Sequence, residues 1–288
     1  MAKEIDSFSA TDGNRACDLD RSKATIAEYR EYPVPLDLAA HVMCLWTQSV
    51  GRSGGPYDHR VLPDACIDIV FINDEPPAVI GPYVESFIAT LPPGTNIVGA
   101  RFHPGRALAF LGHPASVLLN QSVPLTVLWN NAASTDFLSP VYEATGLASR
   151  LSALERTMMA RLPRTKSIDP AVMWGIKWLA EHSESSIENL SACIGISSRQ
   201  LRRRFSVSVG YGPKLFQEVL RFQRMLHQAT RSRVRLPLVD LAAAAGYADQ
   251  AHMTREARRF SDVPPMELLH RAQCTLHLSG LIGPDQNL

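Results

Sequence analysis

The chain has 288 residues, 45% of them hydrophobic and 20% charged, enough for two globular domains with a core each. No apolar run approaches the roughly 20 residues of a membrane-spanning helix, and the first residues lack the apolar stretch of a secretory signal, so a cytoplasmic protein that makes no membrane contact is expected. The net charge of +1 is unevenly shared: residues 1–163 carry 12 Lys and Arg against 17 Asp and Glu, while residues 164–288 carry 17 against 11, the balance of an acidic partner joined to a basic nucleic-acid module.

Residues 1–28 mix Lys3, Asp6, Asp12, Arg15 and Asp18 with small polar residues and predict a flexible leader. Residues 29–163 then form a β-rich unit. From Tyr32 to Val127 the segments are short, rich in Val, Ile and Phe, and punctuated by Pro and Gly, the rhythm of antiparallel strands. The run Val61 to Phe71 alternates, so Ile67, Ile69 and Phe71 face one way and Asp64, Cys66 and Asp68 the other. Further strands are expected over Ala78–Ile80, Ser86–Thr90 and Ile97–Phe102. A barrel or sandwich of cupin-like form, with an interior able to hold a small ligand, is the expected architecture. Beyond Phe137 the period changes: Leu147, Leu151, Leu154, Met158 and Leu162 form one apolar stripe on a helix, which either packs on the chain's own sheet or pairs with a second copy.

Residues 164–169 are polar and follow Pro163, and are read as a linker. Residues 170–275 are expected to be all helical, and residues 276–288 a flexible tail, giving a two-domain α+β chain. Asp169-Pro170 is an N-cap followed by proline at the first helical position, and Ser186 offers a second helix start. Leu190-Ser-Ala-Cys-Ile-Gly195-Ile-Ser-Ser then has the order of a helix-turn-helix: glycine ends one helix at positive φ, Ile196 fills the corner, and Ser197 or Ser198 caps the next. The same order returns at Leu241-Ala-Ala-Ala-Ala-Gly246-Tyr-Ala-Asp. Phe205, Gly210 and Pro213 recur as Ala257, Asp262 and Pro265, each 52 residues later, so the unit is duplicated. Pro213 to Thr230 supplies a long helix between the copies.

With these residues in view, the C-terminal region resembles the DNA-binding domain of the AraC family of transcription regulators. The resemblance runs from Asp169 to His270 and rests on Asp240-Leu-Ala-x-x-x-Gly246-Tyr-x-Asp249-Gln250-x-x-x-Thr254-Arg255 and Pro265. Ala257 and Asp262 depart from it, standing where the family has an aromatic residue and a glycine. It implies an activator with two helices entering successive major grooves of promoter DNA, acting with RNA polymerase. The DNA-facing residues are then Ser198, Arg199, Gln200, Arg202, Arg203 and Arg204 in the first unit. In the second they are Gln250, Ala251, Thr254, Arg255, Arg258 and Arg259. Arg199, Arg202 and Arg203 are the base-edge candidates; Arg204 is expected at phosphate or in solvent.

More faintly, Val61-Leu-Pro-Asp64-x-Cys66-Ile-Asp68 and Arg101-Phe-His103-Pro104-Gly105 resemble the β-rich sensor region of some of these regulators. That implies sensing or homodimer formation, with Asp64, Cys66, Asp68, Arg101 and His103 as candidate contacts to a small-molecule effector. A metal or enzyme site on Asp64, Cys66, Asp68, His103 and His59 is the rival, but two-His spacing is absent. The five cysteines are scattered and form no Cys-x-x-Cys, against both a zinc site and the reactive thiol of an alkylation-repair protein. No catalytic residue, cofactor or metal is expected, and the chain reads as a regulator rather than an enzyme.

Overall fold

A computed structural model describes residues 27–129, 131–164, 167–231 and 236–275. Most of the expected leader and all of the expected tail lie outside these; Ala27 and Glu28, counted with the leader, already belong to the first strand.

The N-terminal half runs β1 (Ala27–Tyr32), α1 (Leu36–Ala39), β2 (Val42–Val50), β3 (Tyr57–Val61), β4 (Ile67–Ile72), β5 (Ala78–Ile80), β6 (Phe87–Leu91), β7 (Asn96–Phe102), α2 (Ala107–Leu111), β8 (Ser122–Pro124), α3 (Leu125–Leu128), α4 (Asn131–Glu143) and α5 (Leu147–Arg161). Six strands form one antiparallel sheet in the order β1-β2-β7-β4-β5-β8, and β3 with β6 makes a separate two-stranded ribbon. The expected barrel is therefore not closed: β1 and β8 stand at opposite ends of the sheet. The space a barrel would enclose is instead filled by side chains from helices.

The alternation read from the sequence sorts the two faces. Ile67, Ile69, Phe71, Val98, Ala100 and Phe102 face the helices and share a core with Phe110, Trp129, Phe137, Leu154 and Met158. Fully burying each such large side chain contributes about 1.5 to 3 kcal/mol. The apolar stripe of α5 packs on this face, so Leu151, Leu154 and Met158 are buried within the chain. The opposite face, carrying Cys44, Trp46, Val70 and Ile97, lies under the ribbon. One expectation fails locally, because alternation is not continuous from Val61 to Phe71. Pro63 has no N–H to donate, and Ala65 sits at φ 64°, which breaks the run into β3 and β4. The Asp64 carboxylate closes the break by accepting from the Cys66 N–H at 2.9 Å.

Among the described residues the C-terminal half is built of helices: α6 (Pro170–Glu181), α7 (Ile187–Ile194), α8 (Ser198–Val209), α9 (Pro213–Arg231), α10 (Leu238–Ala245), α11 (Gln250–Ser261) and α12 (Pro265–Thr275). The Asp169 carboxylate caps α6 by accepting from the N–H groups of Ala171 and Val172. Leu62 and Ala65, in the break between β3 and β4, belong to the same buried cluster as Val172, Leu201, Phe216 and Phe260, so the two halves share a continuous core. Among the described residues no helix is long and apolar enough to cross a membrane.

Candidate nucleic-acid interface

Each helix-turn-helix is built by local sequence. In the first unit α7 ends at Gly195, at φ 76°, where a Cβ would be strained, and Ser197 caps α8 in a capping box with Gln200. Ser191 is small enough to be buried where the helices meet; its hydroxyl donates to the Ile187 carbonyl at 2.8 Å. In the second unit α10 ends at Gly246, at φ 82°, and the Asp249 carboxylate caps α11 by accepting from the His252 N–H at 2.6 Å. Ala242 takes the place of Ser191, and Tyr247, buried in the corner, lies under the Arg221 guanidinium 5.0 Å from its ring centre.

The buried faces leave two equivalent stripes outward. Leu201 and Phe205 of α8 are fully buried, and Arg199, Arg202 and Arg203 are exposed on the other side. Met253, Ala257 and Phe260 of α11 are fully buried, and Ala251, Arg255 and Arg258 are exposed. At the 52-residue offset Arg199 corresponds to Ala251, Arg202 to Thr254 and Arg203 to Arg255. Spacing of three and four residues puts each set on one helix face.

The remaining candidates are partly engaged within the chain. The Ser198 hydroxyl lies 3.1 Å from that of Ser191, whose own proton is given to Ile187, and the Gln200 side-chain oxygen accepts from the Ser197 N–H at 3.0 Å. Arg204 turns away from the stripe to Asp169, at 3.2 Å, tying α8 to the cap of α6. The Thr254 hydroxyl donates to the Gln250 carbonyl, and Arg259 meets Glu218 of α9 at 2.9 Å; Gln250 and its neighbour Ala251 are exposed at the start of α11.

Helix α9 is bonded to both units. Arg221 pairs with Glu256 of α11, its Nε 3.1 Å from the carboxylate in a buried site. Arg224 donates to the Ala180 carbonyl at the end of α6 at 2.8 Å, and Gln217 donates to the carbonyls of Ser183 and Ser185. Such buried, satisfied bonds fix register more than they add stability.

Residues 190–271 match the family described as Helix-turn-helix domain, and residues 30–124 match the Domain of unknown function (DUF6597). Two capped helix pairs on a shared spindle, within that match, decide the reading. The C-terminal region is an AraC-type helix-turn-helix domain. A chain carrying this AraC-type domain is a DNA-binding transcription regulator. Among solved structures the chain is similar to a probable AraC family transcriptional regulator from Rhodopseudomonas palustris CGA009, at 27% identity over 36% of this chain and 99% of that one, with a TM-score of 0.33. It is also similar to the C-terminal domain of AraT, a response regulator from Geobacillus stearothermophilus (16% identity, 42% of this chain, 98% of that chain, TM-score 0.34). ToxT from Vibrio cholerae is similar at 11% identity over 75% of this chain and 97% of that chain, with a TM-score of 0.41. No curated protein matches the chain.

Upstream of the AraC-type domain, four of the five proposed ligand contacts converge. On the ribbon side of the sheet, Arg101 Nε donates to Asp68 at 3.1 Å, with Asp64 and Glu31 carboxylate oxygens each 3.8 Å from the guanidinium. Trp46 Nε1 donates to Asp68 at 2.9 Å, and the Tyr29 hydroxyl donates to Glu31 at 2.7 Å. Burial pushes the Asp68 carboxyl above its ordinary range, with Arg101 drawing it partly back. Burial likewise pushes the Cys66 and Cys44 thiols up, so both stay protonated at neutral pH. His103 does not join this cluster: it lies beside His41 and Arg106, and burial, then Arg106, lowers its imidazole to about 4. Sequence reading missed Tyr29 and Glu31, which enter from β1; the alternating Ala27-Glu-Tyr-Arg-Glu-Tyr32 is the signal that marks β1.

The other face of the sheet carries an opening. A groove of about 380 Å³ lies between β1–β2 and α5, with Leu45, Leu147 and Leu151 among its apolar lining and Arg30, Thr47 and Glu155 among its polar groups. Among the described residues no three His, Cys, Asp or Glu side chains are grouped to hold a metal ion.

Proposed function

We propose that one chain reads an asymmetric promoter site in the cytoplasm, inserting α8 and α11 into successive major grooves on one face of the duplex. The observation that carries this is the pair of equivalent exposed stripes, each opposite a buried core face. Arg199, Arg202 and Arg203 contact base edges, because a guanidinium matches the two acceptors of guanine. Arg255 does the same in the second unit, with Gln250, Ala251 and Thr254 against the neighbouring bases and methyl groups. Arg258 and Arg259 serve the phosphates, while Ser198 and Gln200 support the first helix start and Arg204 keeps its bond to Asp169.

The regulator acts as an activator, contacting RNA polymerase, and has no catalytic activity of its own. Its small-molecule effector binds in the N-terminal half. The groove beneath α5 lies within the size range of small-ligand sites and supports that assignment. The cluster of Asp64, Cys66, Asp68 and Arg101 serves instead to hold the β3–β4 break against the AraC-type domain. Because α5 uses its apolar stripe on its own sheet, one chain suffices per site; a homodimer would form through another surface.

Selection of bound DNA from a random library tests this reading. The expected product is a bipartite, non-palindromic site whose halves lie about one helical turn, roughly 34 Å, apart. A single short half-site, or no enrichment, refutes the double reader. A thermal-shift screen that finds no stabilising small molecule, with none carried through purification, refutes the effector.

A further inference from the structure

The N-terminal half touches the C-terminal ends of both reading helices. The cap of α8 is Gly210, at φ 106°, and Pro82 lies so close that an added Cβ would stand 2.6 Å from its ring. The cap of α11 is Asp262, the equivalent position 52 residues on, at φ 59°. Aspartate is strained at positive φ where glycine is not, so the side chain must return something. It does so across the domain boundary. The Ser86 hydroxyl donates to the Asp262 carboxylate at 3.2 Å, Arg60 donates to the Ser86 oxygen at 3.1 Å, and the same Arg60 nitrogen donates to the Ser261 carbonyl at 2.8 Å. Arg60 lies on β3, paired with β6, and Ser86 directly precedes β6. A cation therefore faces the carbonyl end of α11, where the helix dipole is negative, through a relay on the ribbon.

We propose that Arg60, Ser86 and Asp262 form an interdomain latch that positions the second reading helix, so that the ribbon sets the angle between the two readers. This rests on the double-reader function proposed above. The ribbon also covers the sheet face that holds the Asp68–Arg101 cluster, so the second reader is bound to the part of the N-terminal half that the sheet supports from below. Asp262, which departs from the family's glycine, is on this account a positioning residue. The corresponding contact at Gly210 is made by shape alone.

The test uses the full chain with Ser86→Ala, Asp262→Gly and the double variant. Asp262→Gly keeps the positive-φ cap, because glycine adopts it without strain, so folding is preserved while the relay is cut. Hydrogen exchange is read without DNA in the last turn of α11 and in the ribbon. Affinity is read for the DNA that the unmutated chain selects from a random library, and for copies with one base pair inserted or removed between its halves. Each single variant should raise exchange in both segments by about threefold to tenfold, the factor a lost hydrogen bond corresponds to, and the double variant by no more than either single. Discrimination against the altered spacings should fall by a similar factor. Unchanged exchange in both single variants overturns the latch. Raised exchange with undiminished spacing discrimination overturns its positioning role. If the unmutated chain selects no DNA, the double reader and the positioning role fall together, while the exchange result alone decides whether the latch exists.

Discussion

At the scale of single residues, the two helix-turn-helix units solve one packing problem in two ways. The first places Phe205 against Phe216 with Ser208 buried one turn on; the second has Ala257 at the equivalent of Phe205 and Phe260, fully buried against Phe222, at the equivalent of Ser208. The aromatic has moved by one turn, and the volume is conserved. Phe260→Ala should accordingly destabilise the chain by about 3 to 5 kcal/mol, the cost of a large cavity with no neighbour able to fill it. Urea unfolding measures this, and a loss below about 1 kcal/mol would mean that Ala257 has an aromatic substitute elsewhere. On the outward side, Arg203→Ala should remove roughly 1 to 3 kcal/mol of discrimination between the selected site and a single-base variant, leaving folding intact. Binding curves on the two DNAs read it; an unaltered ratio takes Arg203 off the base edges.

Among elements, the sheet and the helix pairs were unequally legible. Gly195, Gly246, Ser197 and Asp249 fix helix ends through backbone conformation and capping, which are local, and their spacing was enough to find the duplicated unit. The outward stripe of α8 followed from helical period together with the family resemblance, yet the turning of Arg204 to Asp169 did not, because that ion pair joins residues 35 positions apart. The alternation of β4 was likewise visible, whereas closure of the sheet was not: whether β1 meets β8 depends on which strands pair across the chain. The helices that fill the would-be interior carry their apolar residues at ordinary core spacing. Strand β7 shows how tight the ribbon-side face is. Gly99 lies directly opposite Trp46, and an added Cβ would stand 2.2 Å from the indole, which also stacks on Tyr29 at 5.7 Å. Gly99→Ala should therefore cost roughly 1 to 3 kcal/mol by pushing Trp46 off Asp68. An unchanged urea midpoint would show that the indole can shift freely.

For the whole molecule, part-buried histidines link stability to acidity. Burial, reinforced by Arg101, lowers His59 from 6.5 to about 4, and burial with Arg106 does the same to His103. Between those two pH values the unfolded chain binds more protons than the folded one, so stability is complete above about pH 6.5 and falls as pH drops toward 4. Each residue contributes on the order of a few kcal/mol to that fall. Melting temperature should decline across this window, and His59→Leu should flatten the decline; a variant with the same slope as the unmutated chain would remove His59 from the account.

The core common to both halves has one more outcome. Tyr211 is buried beside Asp64 and Cys66, Gly105 sits against Met173 and Ile176, and Gln223 of α9 donates to the Pro63 carbonyl. A fragment beginning at Ser167 would leave Val172, Ile176 and Tyr211 facing water, a greasy saddle inviting self-association. Grafting this reader onto a foreign input module would meet the same difficulty, since the donor must supply a matching Leu62 and Ala65. Cutting the chain at this seam would strip cover from buried residues on both sides of it.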